Sequence, residues 1–260
     1  MQLPNLNFKE DTVTLGNIFG ISWKLYTENF QAIAIIIAIV YIPVDIIIFF
    51  FDNIPDVSLK DYIKVLGYLE EFIGIIATLA LAIFLTWKIE NQQITIKDSL
   101  HKALQSWGKV VLTNFITGIM IWLLTLLLIV PWIIYGTYWT FITYILLFLW
   151  LTWEGARNHS KLLVTNRWWK TFGMVSVFFL LSFILWMTIG FVFYFFLWYF
   201  FYDFETFTVA ENFVVEMLKN FTIDILASYF TICLFVLFVA YQSVYGWSIG
   251  EKNGTTKTWV

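Results

Sequence analysis

Apolar residues gather along this chain in runs too long and too uniform for the core helices of a soluble protein. The first extends from Phe30 to Phe51, interrupted by Pro43 and Asp45, and the second from Phe72 to Trp87, closed by Lys88. A third covers Val110–Pro131, a fourth Ile133–Trp153, a fifth Thr171 to Tyr202 and a sixth Ile223–Trp247. A helix rises ~1.5 Å per residue, so ~20 apolar residues carry it across ~30 Å of hydrocarbon. Soluble helices keep one polar face, whereas these runs are apolar all round. The pattern predicts an all-α fold, a polytopic transmembrane bundle of six spans forming a single membrane domain over residues 1–260. Pro131, Trp132 and Gly136 are nearly all that separates spans three and four, which predicts a tight hairpin.

Shorter amphipathic segments punctuate the runs. Asn17–Lys24, Lys102–Lys109 and Leu163–Lys170 each carry one or two tryptophans and end on a lysine just before an odd-numbered span. Read as a helix, residues 98–107 place Leu100, Ala103, Leu104 and Trp107 on one face and Asp98, His101, Lys102 and Gln105 on the other. That is the profile of a helix lying among headgroups. The expectation is a short interfacial helix before spans 1, 3 and 5, and three parallel repeat units over residues 12–90, 91–153 and 154–250.

Composition and charge sharpen this picture. Hydrophobic residues make up 60% of the chain and charged residues 13%, against roughly half and a quarter in an ordinary soluble domain. Lysine and arginine resist translocation. One side of the predicted topology receives Lys9, Lys24, Lys88, Lys97, Lys102, Lys109, Arg157, Lys161, Arg167, Lys170, Lys252 and Lys257, and the other only Lys60, Lys64 and Lys219. Both termini are therefore expected in the cytoplasm. The opposite face is acidic, with Asp52, Asp56, Asp61, Glu70 and Glu71 in the first outer loop and Asp203, Glu205, Glu211 and Glu216 in the last. Met1–Asp11 lacks a basic segment followed by an apolar one, so no cleaved signal peptide is expected. Trp87, Trp107, Trp132, Trp153, Trp168, Trp169, Trp198 and Trp247 fall near run ends, where an indole buries its ring and keeps its N–H near water.

Three stretches carry a family resemblance. Leu15–Phe30 leading into a span with Pro43, Ile96–Leu104, and Ile129–Trp132 together with Ala156–Gly173 resemble the membrane domain found beside glycerophosphodiester phosphodiesterases, and related six-span prokaryotic membrane proteins. The resemblance implies a multi-pass protein of a prokaryotic plasma membrane. Trp132 stands where that family often has glycine. The phosphodiesterase activity of such proteins belongs to a separate soluble barrel, for which this chain has no segment long and polar enough, so no catalytic residue is carried over.

Chemistry-bearing motifs are scarce. The chain lacks a phosphate-binding glycine loop, a zinc-protease helix, a nucleophile elbow and clustered cysteines. Cys233, the single cysteine, reads as a small buried hydrophobe, and His101 and His159 as surface residues of the basic linkers. No cofactor, nucleic-acid partner or enzymatic activity is expected. A carboxylate in a span costs about 2.5–3.5 kcal/mol at the bilayer centre and marks a candidate functional position; Asp45, two residues after Pro43, is the leading one. Gln242 and Ser243, beside Tyr241 and Tyr245, form a second candidate polar spot, while Asn114, Ser182, Thr188, Ser228 and Thr231 read as packing contacts. Lys102, Lys109, Arg157, Lys161, Arg167 and Lys170 form a basic collar suited to anionic lipid headgroups. The sequence thus supports a non-enzymatic membrane protein that organises lipid or a membrane-protein partner. The alternative is a transporter or permease component for a small or amphiphilic solute, using Asp45 and the polar end of span six. No feature of the sequence sets a homo-oligomeric state.

Overall fold

The computed structural model describes residues 8–52, 57–127, 129–200 and 209–252, with side chains excepted at 51–69 and 71, 126–129, 196–212 and 246–252. Among the described residues there is no strand. The helices are α1 (Leu15–Glu28), α2 (Phe30–Asp52), α3 (Val57–Ile89), α4 (Ile96–Leu127), α5 (Ile129–Tyr138), α6 (Ile142–Leu149), α7 (Trp153–Val164), α8 (Trp168–Phe200) and α9 (Val209–Lys252). Six stretches, within α2, α3, α4, α5–α6, α8 and α9, are long and apolar enough to cross a membrane.

Short polar side chains start the helices where the sequence offers them. Thr14 Oγ1 accepts from Asn17 N at 3.3 Å at the head of α1, and Thr152 Oγ1 from Gly155 N at 3.3 Å at the head of α7. Thr95 Oγ1 accepts from Asp98 N and donates to the Asp98 carboxylate, opening α4. Each satisfies an N–H that the first turn leaves without a carbonyl.

The apolar stretches meet two different solvents. Leu79–Leu85 of α3, Ile142 and Tyr144–Phe148 of α6, and Phe235–Tyr241 of α9 are buried by other helices. On α8, Phe179, Phe183, Phe191 and Phe195 face outward, as do Ile35, Ile39, Ile46 and Ile47 on α2 and Leu112, Phe115 and Ile119 on α4. Exposed apolar residues in contiguous bands on several helices are what a lipid-facing surface requires. The inner core is aromatic: Phe141, just before α6, and Tyr144 and Phe148 of α6 lie against Phe235, Phe238 and Tyr241 of α9, with ring centroids 5.5–6.3 Å apart.

Several boundaries differ from the sequence reading. Position 128, between α4 and α5, lies outside the described residues; Pro131 sits in the first turn of α5, where its missing N–H removes no helical bond. Span four is two helices, broken at Trp139–Phe141. Ser160 of α7 serves the broken backbone: its Oγ donates to the Tyr138 carbonyl at 2.7 Å and accepts from Phe141 N at 3.3 Å. The first predicted outer loop is helical from Val57 onward, as the N-terminal part of α3.

The predicted interfacial helices also take different forms. The first is α1, ended at Asn29 and packed lengthwise on α9: Tyr26 donates to the Ile225 carbonyl at 3.0 Å and Tyr229 to the Phe19 carbonyl at 3.2 Å. The second is continuous with span three in α4, because no glycine or proline breaks residues 96–109 other than Gly108, which helices tolerate. The third straddles the end of α7, a turn in which Asn166 takes φ 69°, and the start of α8.

Candidate functional site

Two helices each bring a polar pair spaced four residues apart, and a third brings Glu70 with Gly74 one turn on, to one partly buried place. Tyr41 and Asp45 lie on α2, Glu70 and Gly74 on α3, and Asn220 and Asp224 on α9. An i, i+4 spacing puts both members of a pair on one helix face, and α2 packs against both α3 and α9. Asp224 feels the charges of Asp45 and Glu70, and Tyr41 those of all three carboxylates. Asn220 lies within hydrogen-bonding reach of Asp45. Asp45 is only 6% exposed, and α2 continues through Pro43 without a break.

Glycine at position 74 makes the close approach feasible. A Cβ there would lie 2.6 Å from Tyr41 Oη, so the missing side chain is the space the hydroxyl occupies. Asp45 Oδ2 and Asp224 Oδ2 are both buried without a hydrogen-bond partner. Buried carboxylate oxygens ordinarily find donors, so these two mark a place where a charge-balancing species fits. Chemically, the cluster can take up a proton or a cation and can accept hydrogen bonds from a solute. Among the described residues, no group of three or more His, Cys, Asp or Glu side chains is disposed to hold a metal ion.

Of the residues singled out from sequence, Asp45 is in this cluster and Gln242 and Ser243 are not. Gln242 lies 18 residues beyond Asp224 on the same helix, about 27 Å at the helical rise. The amide pairs with His159 of α7, Gln242 Oε1 to His159 Nε2, at 2.9 Å. Ser243 Oγ turns back to the Ala240 carbonyl at 3.0 Å, a contact internal to α9. The surface reading of His159 is thereby corrected: it is half-buried, because α7 folds back onto α9, while His101 stays exposed. Neither Glu70, Asn220 and Asp224 nor the role of Gly74 was read from sequence as a site; the signal was the four-residue spacing of Tyr41 with Asp45 and of Asn220 with Asp224.

Burial pushes the His159 imidazole below its ordinary range, against a smaller upward pull from Gln242. A group whose folded value is lowered stabilises the fold above its unfolded value, and that stability is lost as pH falls toward the folded value. The thermal midpoint of the wild type in detergent is therefore expected to fall between pH 8 and pH 5 by more than that of His159→Gln. Equal pH dependence in the two proteins would contradict the assignment.

The collar residues cluster with aromatic rings. Lys102 Nζ sits 3.9 Å from the Trp87 ring centroid, Arg157 4.6 Å from Trp153, Lys109 5.9 Å from Trp150 and Lys161 5.9 Å from Tyr138. Lys170 is exposed. Arg167 differs: its guanidinium lies 3.3 Å over Tyr245 and 3.8 Å from Glu10, tying the N-terminal segment to α9. Its contacts are internal, so five of the six collar cations retain a geometry open to headgroups. The chain matches no protein-family model, no curated protein and no solved structure.

Proposed function

We propose that this chain is a carrier, or the membrane component of one, that moves a small solute or ion through the polar site between α2, α3 and α9. The observation that supports it is the placement of Asp45 and Asp224 within the apolar stretches of α2 and α9, each with a buried carboxylate oxygen left unpaired. Carboxylates inside a span are costly, and two from independent helices add to that cost. A purely structural contact would be served better by neutral amides or hydroxyls. The surrounding helices are suited to a bilayer, and α8 presents most of its surface outward. The test is ion flux into proteoliposomes under an imposed potential, reported by an interior pH dye and by radiolabelled sodium. Flux above protein-free vesicles that drops in Asp45→Asn supports the reading; no flux of either ion overturns it.

A second reading, organisation of anionic lipid by a non-enzymatic membrane protein, is favoured by the stacked collar. A cation held against an indole at a helix end lies where headgroups lie, and each near-surface charge contributes about 1 kcal/mol toward anionic lipid. Replacing Lys109, Lys161 and Lys170 with glutamine is expected to lower co-purified anionic lipid by about tenfold or more. Retention at the wild-type level, measured by native mass spectrometry from gentle detergent, would sink that reading.

A further inference from the structure

We infer that residues 8–14 form a strap held shut by Arg167, and that an anionic lipid headgroup opens it by taking the place of Glu10 on the guanidinium. The inference deepens the lipid reading above and rests on it for its ligand.

The strap is built locally before anything outside it takes hold. Lys9 N–H donates to Thr12 Oγ1 at 2.9 Å, Thr12 N–H to the Lys9 carbonyl at 3.0 Å, and the Asn17 side-chain amide to the Thr12 carbonyl at 2.8 Å. These bonds fold residues 9–12 into one tight turn ahead of α1. Val13 is fully buried behind the turn, and Phe8 packs on the core. The Glu10 side chain stays 73% exposed, with its carboxylate 3.8 Å from an Arg167 terminal nitrogen and 3.5 Å from Tyr245 Oη.

Arg167 stands in the turn between α7 and α8, and its guanidinium lies 3.3 Å from the ring centroid of Tyr245 on α9. One turn on, the Thr171 and Tyr241 hydroxyls pair at 3.0 Å. The start of α8 is therefore joined to α9 without Glu10, and opening the strap need not part the two helices. Glu10 is the weak member of the group. At 3.8 Å it lies beyond hydrogen-bond length from Arg167, and a largely exposed ion pair contributes little. Arg167 Nε is buried without a hydrogen-bond partner. An arginine presents its donors as a planar fork that matches two phosphate oxygens. A phosphate-bearing headgroup thus satisfies Arg167 better than the single carboxylate oxygen beside it.

Position brings the headgroup there. Arg167 directly precedes the apolar stretch Trp168–Phe195, and Tyr245 closes the stretch Phe213–Tyr245. Basic and aromatic residues at the ends of spans lie at headgroup level, and Trp169 and Lys170 are both exposed next to Arg167. The strap carries Glu10 and Asp11 against Lys9, so an anionic surface repels it while attracting Arg167.

The experiment is hydrogen–deuterium exchange of residues 9–14 in the intact protein, in vesicles of phosphatidylcholine alone and of equal parts phosphatidylcholine and phosphatidylglycerol. The wild type is expected to exchange about fivefold faster in the mixed vesicles, the factor an ion pair of this kind contributes. Glu10→Gln and Arg167→Gln are each expected to exchange at the faster rate in both. A wild-type rate that is equal in the two vesicles overturns the inference, and that arm needs no variant. So does a Glu10→Gln strap as slow as wild type in phosphatidylcholine, where the exposed position of Glu10 leaves the fold intact. Inorganic phosphate added to phosphatidylcholine vesicles is expected to leave the strap shut; opening equal to that in the mixed vesicles overturns the assignment to lipid. Anionic lipid retained on purification with a strap that stays shut removes the inference alone. A shut strap with no lipid retained removes the lipid reading as well.

Discussion

Asparagine at position 45 is expected to cut ion flux at least tenfold while leaving the helical content unchanged and the thermal midpoint raised. The substitution keeps the size and planarity of the side chain and its contact with Asn220, so packing between α2 and α9 survives. What it removes is the charge and the capacity to exchange a proton. Loss of like-charge repulsion with Asp224 stabilises the fold by something of order 1 kcal/mol. A gain in stability joined to a loss of activity is the signature of a site kept under electrostatic strain for function. Asp224→Asn should behave alike, because the two carboxylates act on one ion; the double variant should be no worse than either single one. Gly74→Ala supplies a control that leaves every charge in place. Its Cβ would fall 2.6 Å from Tyr41 Oη and push the hydroxyl away, so flux should drop by a smaller factor, with stability reduced and not raised. Flux in Asp45→Asn equal to wild type, measured in the same vesicles, would remove Asp45 from the mechanism.

The helical class and the six long apolar stretches were legible in the sequence because hydropathy summed over ~20 residues is a strong signal. Asp45 was legible for the same reason, as a lone carboxylate inside a run. Asp224 was not, because it stands at the edge of the Ile223–Trp247 run and looks like a boundary residue. Its helix in fact begins at Val209, which turns a terminus into an interior position. Glu70 was assigned to a loop for a related reason: the charged stretch before Phe72 looks polar in one dimension, yet it is helix, with one face toward α2. The pairing of Gln242 with His159 depends on α7 folding back after Trp150, whose left-handed φ of 52° no hydropathy pattern encodes. The break at Trp139–Phe141 was equally hidden, since the hydroxyl that supports it comes from Ser160, 19 residues further on than Phe141.

Hydropathy is blind to one further distinction, and two phenylalanines expose it. Phe238 of α9 and Phe191 of α8 both sit within long apolar runs and are equivalent on any transfer scale. Phe238 is fully buried, with its ring 5.5 Å from Tyr144, 5.8 Å from Phe141 and 6.3 Å from Phe148, while Phe191 is 68% exposed on a helix that faces outward. Truncating Phe238 to alanine leaves a cavity that the facing rings of Phe141, Tyr144 and Phe148 cannot close, because the start of α6 is itself fixed by the Ser160 contacts. The expected cost is about 3–5 kcal/mol. Truncating Phe191 exchanges one lipid-facing apolar side chain for a smaller one, and lipid fills the space; the expected change is within about 0.5 kcal/mol. The measurement is reversible unfolding of both variants in mixed micelles of rising denaturing-detergent fraction. Equal losses would mean that α6 and α9 are not packed core against core, and that the inner aromatic cluster is lipid-accessible like the face of α8. A large loss in Phe238→Ala alone would show that half of this apolar sequence is solvated by protein, which is what allows a charged site to sit among helices that look, by composition, fit only for lipid.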